Sequence, residues 1–322
     1  MRAFLIILLL PLGLCAQVGP VLTSFPSLSI PASSRGLGMG NSGIASSVEN
    51  QALSYNVAKA AFAQNLHQAA VHYMPWLPGV SSDARFVHAD YLGALGTSAL
   101  GFSVNYLNLG TVAIRDDNGA TLGLYKSAEY NVGTSYALQL GASASLGATL
   151  RFLGNMMPAG VSKNTYSVCG DLGYYQSCQL GDASRVLSWG AVVSNLGGYS
   201  NLPTMAGVGV AYTQRDESNS QLMFTLDASR LLKDAWSGLR LSAGAEYGFD
   251  EQFFLRGGVN LESKDKGNRK FFSLGAGYKG FVSDQSWGLD IHYLVPFGVA
   301  GGASPFQNSY GLTLSLNIGN FQ

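Results

Sequence analysis

The sequence predicts an all-β protein: a transmembrane antiparallel β-barrel of about fourteen strands with an N-terminal plug segment. Three observations carry this. From about Leu66 to Ile318, apolar and polar residues alternate in segments of roughly ten, the span of a tilted membrane strand. Only 12% of the residues are charged and 47% are hydrophobic, with 41 glycines and no formal net charge. A soluble domain usually carries charge on about a quarter of its residues. Finally, the chain opens on a secretory signal.

That signal occupies residues 1–16. Arg2 supplies the basic start, Phe4 to Leu14 an apolar stretch broken by Pro11, and Ala16 before Gln17 a cleavage point. Cys15 raises a lipoprotein site, but bulky Leu14 before it fits poorly. Cys169 and Cys178 then remain, on one expected strand and too far apart at roughly 3.3 Å per residue for a disulfide. Free thiols are expected. No later run of about 18 apolar residues offers a helical membrane span.

Residues 17–65 are expected to form the plug. Gln17 to Ile30 is a polar lead-in with Pro20 and Pro26, and Pro31 to Phe62 is rich in Gly, Ser and Ala without alternation. A segment this irregular must satisfy its backbone polar groups somewhere, and a barrel lumen provides the place. Arg35, Gly38, Gly40 and Asn56 are the candidates for packing it against the wall. Gly36, Gly38 and Gly40 lack the preceding hydrophobic strand of a phosphate-binding loop. A helical turn or two is expected in Ala52 to Ala63.

Residues 66–322 are expected to form the barrel. Leu239, Leu241, Ala243, Ala245 and Tyr247 oppose Arg240, Ser242, Gly244 and Glu246. The same period of two runs through Leu222–Ser229, Phe253–Asn260, Trp287–Val295 and Tyr310–Ile318. The polar faces carry Gly, Ser, Thr and Asn with isolated charges at Arg151, Asp227, Arg240, Glu246, Arg256 and Asp290. A soluble sandwich would show more Lys and Glu outside. In a membrane barrel the apolar side meets lipid and the polar side lines the lumen. Segments fall near 66–74, 84–92, 98–108, 127–137, 142–153, 165–176, 185–194, 204–213, 220–230, 239–248, 252–260, 270–279, 286–295 and 308–318. The first two alternate least well. Connections after odd-numbered segments are expected to be long, as at Asn108–Lys126, Gly154–Asn164 and Phe297–Gln307, and those after even-numbered ones short. Outer-membrane barrels place short turns in the periplasm and long loops outside.

No catalytic constellation emerges, and an enzyme is not expected. His67, His72, His88 and His292 lack metal-ligand spacing, so no metal or other cofactor is expected. His292 shares a face with Asp290, where a lumen hydrogen bond is the simpler reading. Asp116-Asp117-Asn118-Gly119 reads as a turn rather than a calcium loop. Neutral charge without a basic stripe argues against nucleic acid. Two loops are candidate partner contacts: Pro75, Trp76 and Leu77 in a proline-stiffened apolar stretch, and Lys264, Asn268 and Arg269 in the densest charge run.

With these residues in hand, the chain resembles the PorV (LptO) family of the FadL-like barrel superfamily. The likeness rests on Ser34-Arg35-Gly36-Leu37-Gly38-Met39-Gly40, Asn56-Val57-Ala58-Lys59-Ala60-Ala61-Phe62 and Tyr73-Met74-Pro75-Trp76-Leu77. It continues through Asp117-Asn118-Gly119, Glu262-Ser263-Lys264, Gly267-Asn268-Arg269-Lys270-Phe271-Phe272 and Leu294-Val295-Pro296, in order along nearly the whole mature chain. The resemblance implies a fourteen-stranded outer-membrane barrel with a plug. It implies a shuttle component of the type IX secretion system, which receives cargo bearing a C-terminal sorting domain from the translocon barrel subunit. Delivery is to the surface sortase of the attachment complex. Shorter loops, especially Leu231–Gly238, leave open the cargo range and the distinction from the PorQ component. A FadL-like channel for hydrophobic compounds is the alternative and implies a greasy pocket beside the plug.

Overall fold

A computed structural model describes residues 25–48, 52–76, 78, 81–115, 121–157, 163–199, 201–232, 238–263, 269–298 and 308–320. The signal segment, Cys15, Leu77, Asp116–Gly119, Lys264 and Asn268 lie outside them.

Fourteen strands form one closed antiparallel barrel: β1 (Asn65–Pro75), β2 (Arg85–Ala94), β3 (Ser98–Arg115), β4 (Thr121–Gln139), β5 (Ala144–Met156), β6 (Tyr166–Leu180) and β7 (Asp182–Leu196), then β8 (Met205–Arg215), β9 (Gln221–Leu231), β10 (Leu239–Phe249), β11 (Phe253–Glu262), β12 (Phe271–Val282), β13 (Gln285–Pro296) and β14 (Tyr310–Asn320). Each strand pairs with its sequence neighbours, and β1 closes on β14 from Asn65↔Asn320 to Tyr73↔Leu312. Closure removes every sheet edge, which a lipid environment demands.

The alternation sorts as a membrane barrel requires. Leu150, Leu255, Leu274, Phe253, Phe272 and Val168 are exposed on the outside, whereas Ser242, Glu246, Arg256, Asn260, Thr313 and Asn317 are buried inside. In water this outer apolar belt would cost about 25 cal/mol per Å²; acyl chains make it neutral. Tyr278 and Trp287 meet edge to face near the short-turn end, where amphipathic rings suit the interface, and Tyr174 and Trp189 pair at a tilt midway along β6 and β7.

β1 and β2 also alternate in burial, although less so in chemistry. Their inward positions include apolar Met74, Phe86 and Leu92, because these meet the N-terminal segment instead of water. β5, β7, β11 and β13 run out at one mouth, the long-connection end, and the brief connections at 95–97, 181, 250–252 and 283–284 lie at the other. The expected long loop at Asn108–Lys126 is corrected: β3 runs to Arg115 and β4 restarts at Thr121. A register shift between Asn108 and Thr111 inserts extra backbone, and Gly110 takes φ +82°. That bulge breaks the period of two and makes continuing strand read as loop. Cys169 and Cys178 both lie on β6 as free thiols.

The N-terminal segment crosses the lumen. Phe25, Ile30, Ala32 and Leu37 pack with Leu153, Leu202, Phe271 and Leu294 near the long-connection end. Ala52, Leu53, Val57 and Ala60 pack with Leu92, Ala94, Ala99 and Ala137 near the short-turn end. Helical pieces occur at Pro26–Ser29, Ser34–Gly38 (α1), Ala52–Tyr55 (α2) and Val57–Phe62. The piece at Ser34–Gly38 was unforeseen, since Gly36 and Gly38 weaken the propensity; Ser33 caps it by accepting from Gly36 N at 3.1 Å.

Gly40 has φ +71°, and a Cβ there would stand 2.5 Å from Val259 O and 2.6 Å from Ala243 O. We expect Gly40→Ala to lose about 1–3 kcal/mol, whereas Gly198→Ala, facing open space, should be neutral. Unfolding midpoints in detergent micelles check both.

Candidate functional site

Wall side chains satisfy the backbone of the lumen segment. Glu129 on β4 accepts from Ser27 N at 3.0 Å, and Thr313 on β14 accepts from Ser34 N at 3.1 Å. Ser273 on β12 accepts from Gly40 N at 2.8 Å and donates to Gly38 O at 2.9 Å. Asp227 Oδ2 on β9 accepts from Gly43 N and Ile44 N at 2.7 and 3.0 Å. Lower down, Ser145 donates to Ala58 O and Gln139 to Ala61 O, each at 2.7 Å. Each is a period-two inward position, so one sequence rule supplies both the wall and the acceptors.

A charged relay fixes α1. Arg35 Nε and Nη2 donate to Glu246 Oε2 and Oε1 at 2.7 and 2.8 Å, a bidentate fork. Arg256 Nε donates to the same Oε2 at 2.6 Å, and its Nη1 to Asp290 Oδ1 at 2.5 Å. Arg35 also donates to Ser47 Oγ at 2.7 Å. Two guanidiniums and two carboxylates thus balance around the buried Glu246 and Arg256, the condition under which buried charge is tolerated. The strands bring Glu246 and Arg256 opposite each other in register.

The other packing candidates sit as follows. A Cβ on Gly38 would come within 3.1 Å of Gly275 Cα, so α1 rests on bare wall backbone. Asn56 caps the turn at Val57–Phe62 by accepting from Ala58 N at 3.2 Å, and its Nδ2 donates to Ile44 O and Tyr174 O at 3.0 and 2.9 Å. Lys59 is fully buried and donates to Gly43 O at 2.7 Å and Ser46 Oγ at 3.1 Å. His292 bonds Ser34 Oγ at 3.1 Å and stacks on His72 at 5.9 Å. Its expected partner Asp290 turns to Arg256 instead, because the denser charge lies on that side.

Among the partner-loop candidates, Trp76 is half-buried and packs on the cluster of Met74, Phe86, Leu107 and Leu294. Its N–H donates to Ala84 O at 3.0 Å. Pro75 ends β1, also half-buried. Arg269 Nε and Nη2 grip Glu262 at 2.6 and 2.7 Å while Nη1 donates to Ser29 O at 3.3 Å. Trp76 and Arg269 face inward, while Pro75 falls on the outward phase of β1. Sequence reasoning missed Ser273, Thr313, Glu129 and Gln139; their inward phase was the available signal, but it does not say what they touch. Among the described residues no group of three metal-ligating side chains forms.

Asp83, in the connection after β1, accepts from Thr111 Oγ1 at 2.7 Å, Thr111 N at 3.2 Å and Ser81 Oγ at 2.8 Å.

A closed barrel with an apolar exterior, a polar lining and a lumen-filling N-terminal segment defines an outer-membrane β-barrel. The chain matches the family described as Type IX secretion system protein PorV over residues 16–199, more than half its length, and belongs to that family. No curated protein matches it. Among solved structures, the Pseudomonas putida toluene transporter TodX is similar at 12% identity and TM-score 0.57, over 94% of this chain and 98% of that one. A Pseudomonas aeruginosa FadL homologue is similar at 12% identity and TM-score 0.52, over 89% and 98%. The CymD monoaromatic hydrocarbon channel follows at 11% identity and TM-score 0.56, over 93% and 99%. At these identities the likeness is one of fold. The protein resides in the outer membrane.

Glu246→Ala strands two guanidiniums and should lower stability by about 3–5 kcal/mol, with Arg35→Ala less than additive on top of it. Chemical unfolding of the single and double variants measures the coupling. Three hydrogen bonds, that of the Thr111 hydroxyl foremost, pull the Asp83 carboxyl from its usual 3.8 to about 2. This tether is therefore intact above the ordinary carboxylate range and is lost as pH falls through about 2. Thr111→Val should move the midpoint part of the way back toward 3.8, read by carbon NMR titration of Asp83.

Proposed function

We propose that this protein is an outer-membrane shuttle of the type IX secretion system. It accepts cargo bearing a C-terminal sorting domain from the translocon barrel subunit and delivers it to the surface sortase of the attachment complex. The family membership over residues 16–199 carries this reading. The work is binding and hand-over, not catalysis.

The architecture supports it. The lumen is occupied by Phe25–Ala63, whose apolar side chains fill the space between Met74, Phe86, Leu107 and Leu294. Surfaces left for partners are the rim and the outer wall. We assign partner contact to the rim stretches Pro75, Trp76 and Leu77 and Lys264, Asn268 and Arg269. Trp76 and Arg269 touch the rim and the lumen segment together, so a partner pressing on them also meets the plug. Residues 17–65 act as that plug, held by Arg35, Gly38, Gly40 and Asn56.

The FadL-like reading, uptake of a hydrophobic compound, is favoured by the shared fold alone. It calls for an apolar pocket beside the lumen segment. A cavity there has ≈ 100 Å³ and is lined by Asp227, Arg240, Glu262 and Arg269 alongside Ile30 and Leu231. That is small and mixed against the roughly 300–1,000 Å³ of a typical ligand pocket.

Deleting the gene should leave sorting-domain cargo in the periplasm, scored by surface proteolysis and fractionation. Unchanged surface display would overturn the shuttle reading. Uptake of labelled toluene or a fatty acid that vanishes on deletion, with display intact, would establish the alternative.

A further inference from the structure

Two buried imidazoles meet the lumen segment at a single hydroxyl. His72 on β1 and His292 on β13 reach toward each other across the strand between them, β14, and stack with ring centroids 5.9 Å apart and planes 21° from parallel. Ser34, the first residue of α1, touches both rings. Its Oγ lies 3.3 Å from His72 Nδ1 and 3.1 Å from His292 Nδ1. Thr313 Oγ1 on β14 stands 3.0 Å from His72 Nδ1 and also accepts from Ser34 N. Gly311 leaves room for the stack, since a Cβ there would come within 2.6 Å of His292 Cε1 and 3.3 Å of His72 Cε1. Ser34, His72 and His292 are all buried.

Neutral rings suit this arrangement. The Ser34 hydroxyl donates to one Nδ1, while the other ring donates to Ser34 or Thr313. A further proton has no such place. Either it lands on an Nε2, and neither Nε2 has a hydrogen-bond partner among the described residues, or it takes from the Ser34 hydroxyl its acceptor. It also sets a buried cation against a second ring, without a counter-ion of its own. The charged groups nearby are engaged with one another. On β2, His88 stands opposite His72 in register and holds Asp90 at 2.9 Å. On β13, Asp290 holds Arg256 of β11, and on α1 Arg35 holds Glu246 of β10. β14 and β12 face the pair with Thr313, Gly311 and Gly275, none of which titrates. Among the described residues the Leu312 carbonyl alone favours a charge on His72, and no group does so for His292.

We propose that Ser34, His72 and His292 form a proton-operated latch on α1, closed while both rings are neutral and loosened when acid charges them. The sign follows from the free side chain: an imidazole in water takes up a proton at about pH 6.5. Above that value the latch is intact. As pH falls below it, protons go preferentially to the form in which α1 has moved away and the rings meet water, so the closed form loses ground. Arg35, the next residue, stays tethered to Glu246, so the latch loosens α1 and does not expel the segment. The latch stands independently of the secretion reading.

Hydrogen–deuterium exchange on the full chain in detergent micelles at pH 7.5 and 5.5, corrected for the intrinsic pH dependence of amide exchange, tests this. The amides of Leu37, Gly40 and Asn41 are all bonded in or beside α1. They should lose protection at pH 5.5 by at least about tenfold, the change that one imidazole gives across that interval. The turn at Val57–Phe62, which touches neither ring, should keep its protection. Equal protection of the α1 amides at the two pH values overturns the proposal. An equal loss along Val57–Phe62 overturns it too, because the loosening is then general. These comparisons need no variant, so a folding failure would not rescue the latch. The double variant His72→Gln/His292→Gln keeps side-chain donors but cannot take up a proton, and should bring the ratio close to one. A folded double variant that still loses protection tenfold sinks the idea as well.

Discussion

The structure depends on one constraint: a backbone with only short helical turns and no sheet has been placed inside the barrel, largely out of water's reach. Every amide and carbonyl of the lumen segment then needs a partner, and the wall supplies many of them. Glu129, Thr313, Ser273, Asp227, Ser145 and Gln139 come from five different strands, yet each reaches the segment's main chain. An unsatisfied buried group costs on the order of 1–3 kcal/mol, so several lost together would expel the segment. The wall's polarity is thus the counterpart of a particular main-chain path, beyond a general preference for a wet interior.

Charge obeys the same logic on a smaller scale. Arg35 of the segment and Arg256 of the wall share Glu246, and Asp290 completes the balance. Such an arrangement adds little net stability over an apolar core, but it punishes any register that separates its members. A one-residue slip of β10 against β11 would turn Glu246 into lipid. The relay therefore specifies which way α1 sits and which strands stand beside it. A fixed lumen also gives the rim a firm foundation.

Much of the barrel is legible from the sequence because a wall with lipid on one face and polar matter on the other writes a period of two. β9, β10, β11, β13 and β14 show it cleanly. Where the inner face meets apolar side chains of the segment, as at Met74, Phe86 and Leu92, the chemical contrast fades and β1 and β2 read less well. The outward extension of β3 and β4 was hidden by one bulge near Gly110. α1 was hidden by its glycines, of which Gly38 is there for close approach to Gly275 and Gly36 for the Tyr55 ring. The lumen contacts were least legible of all: periodicity says that Glu246 and Asp290 point inward, but only the register and the segment's path say that both converge on Arg256.

The path of the segment bears on assembly. It begins beside Leu153 and Leu202 at one mouth and ends beside Ala99 and Ala137 at the other before turning into β1. A finished cylinder could be threaded this way only by hauling the preceding residues through a gap already crowded by helices. Wrapping avoids the problem: the strands curl around a core that is in place first, and the β1–β14 seam shuts last. The segment is then a mandrel as much as a stopper, and its residues would be needed to make the cylinder as well as to fill it.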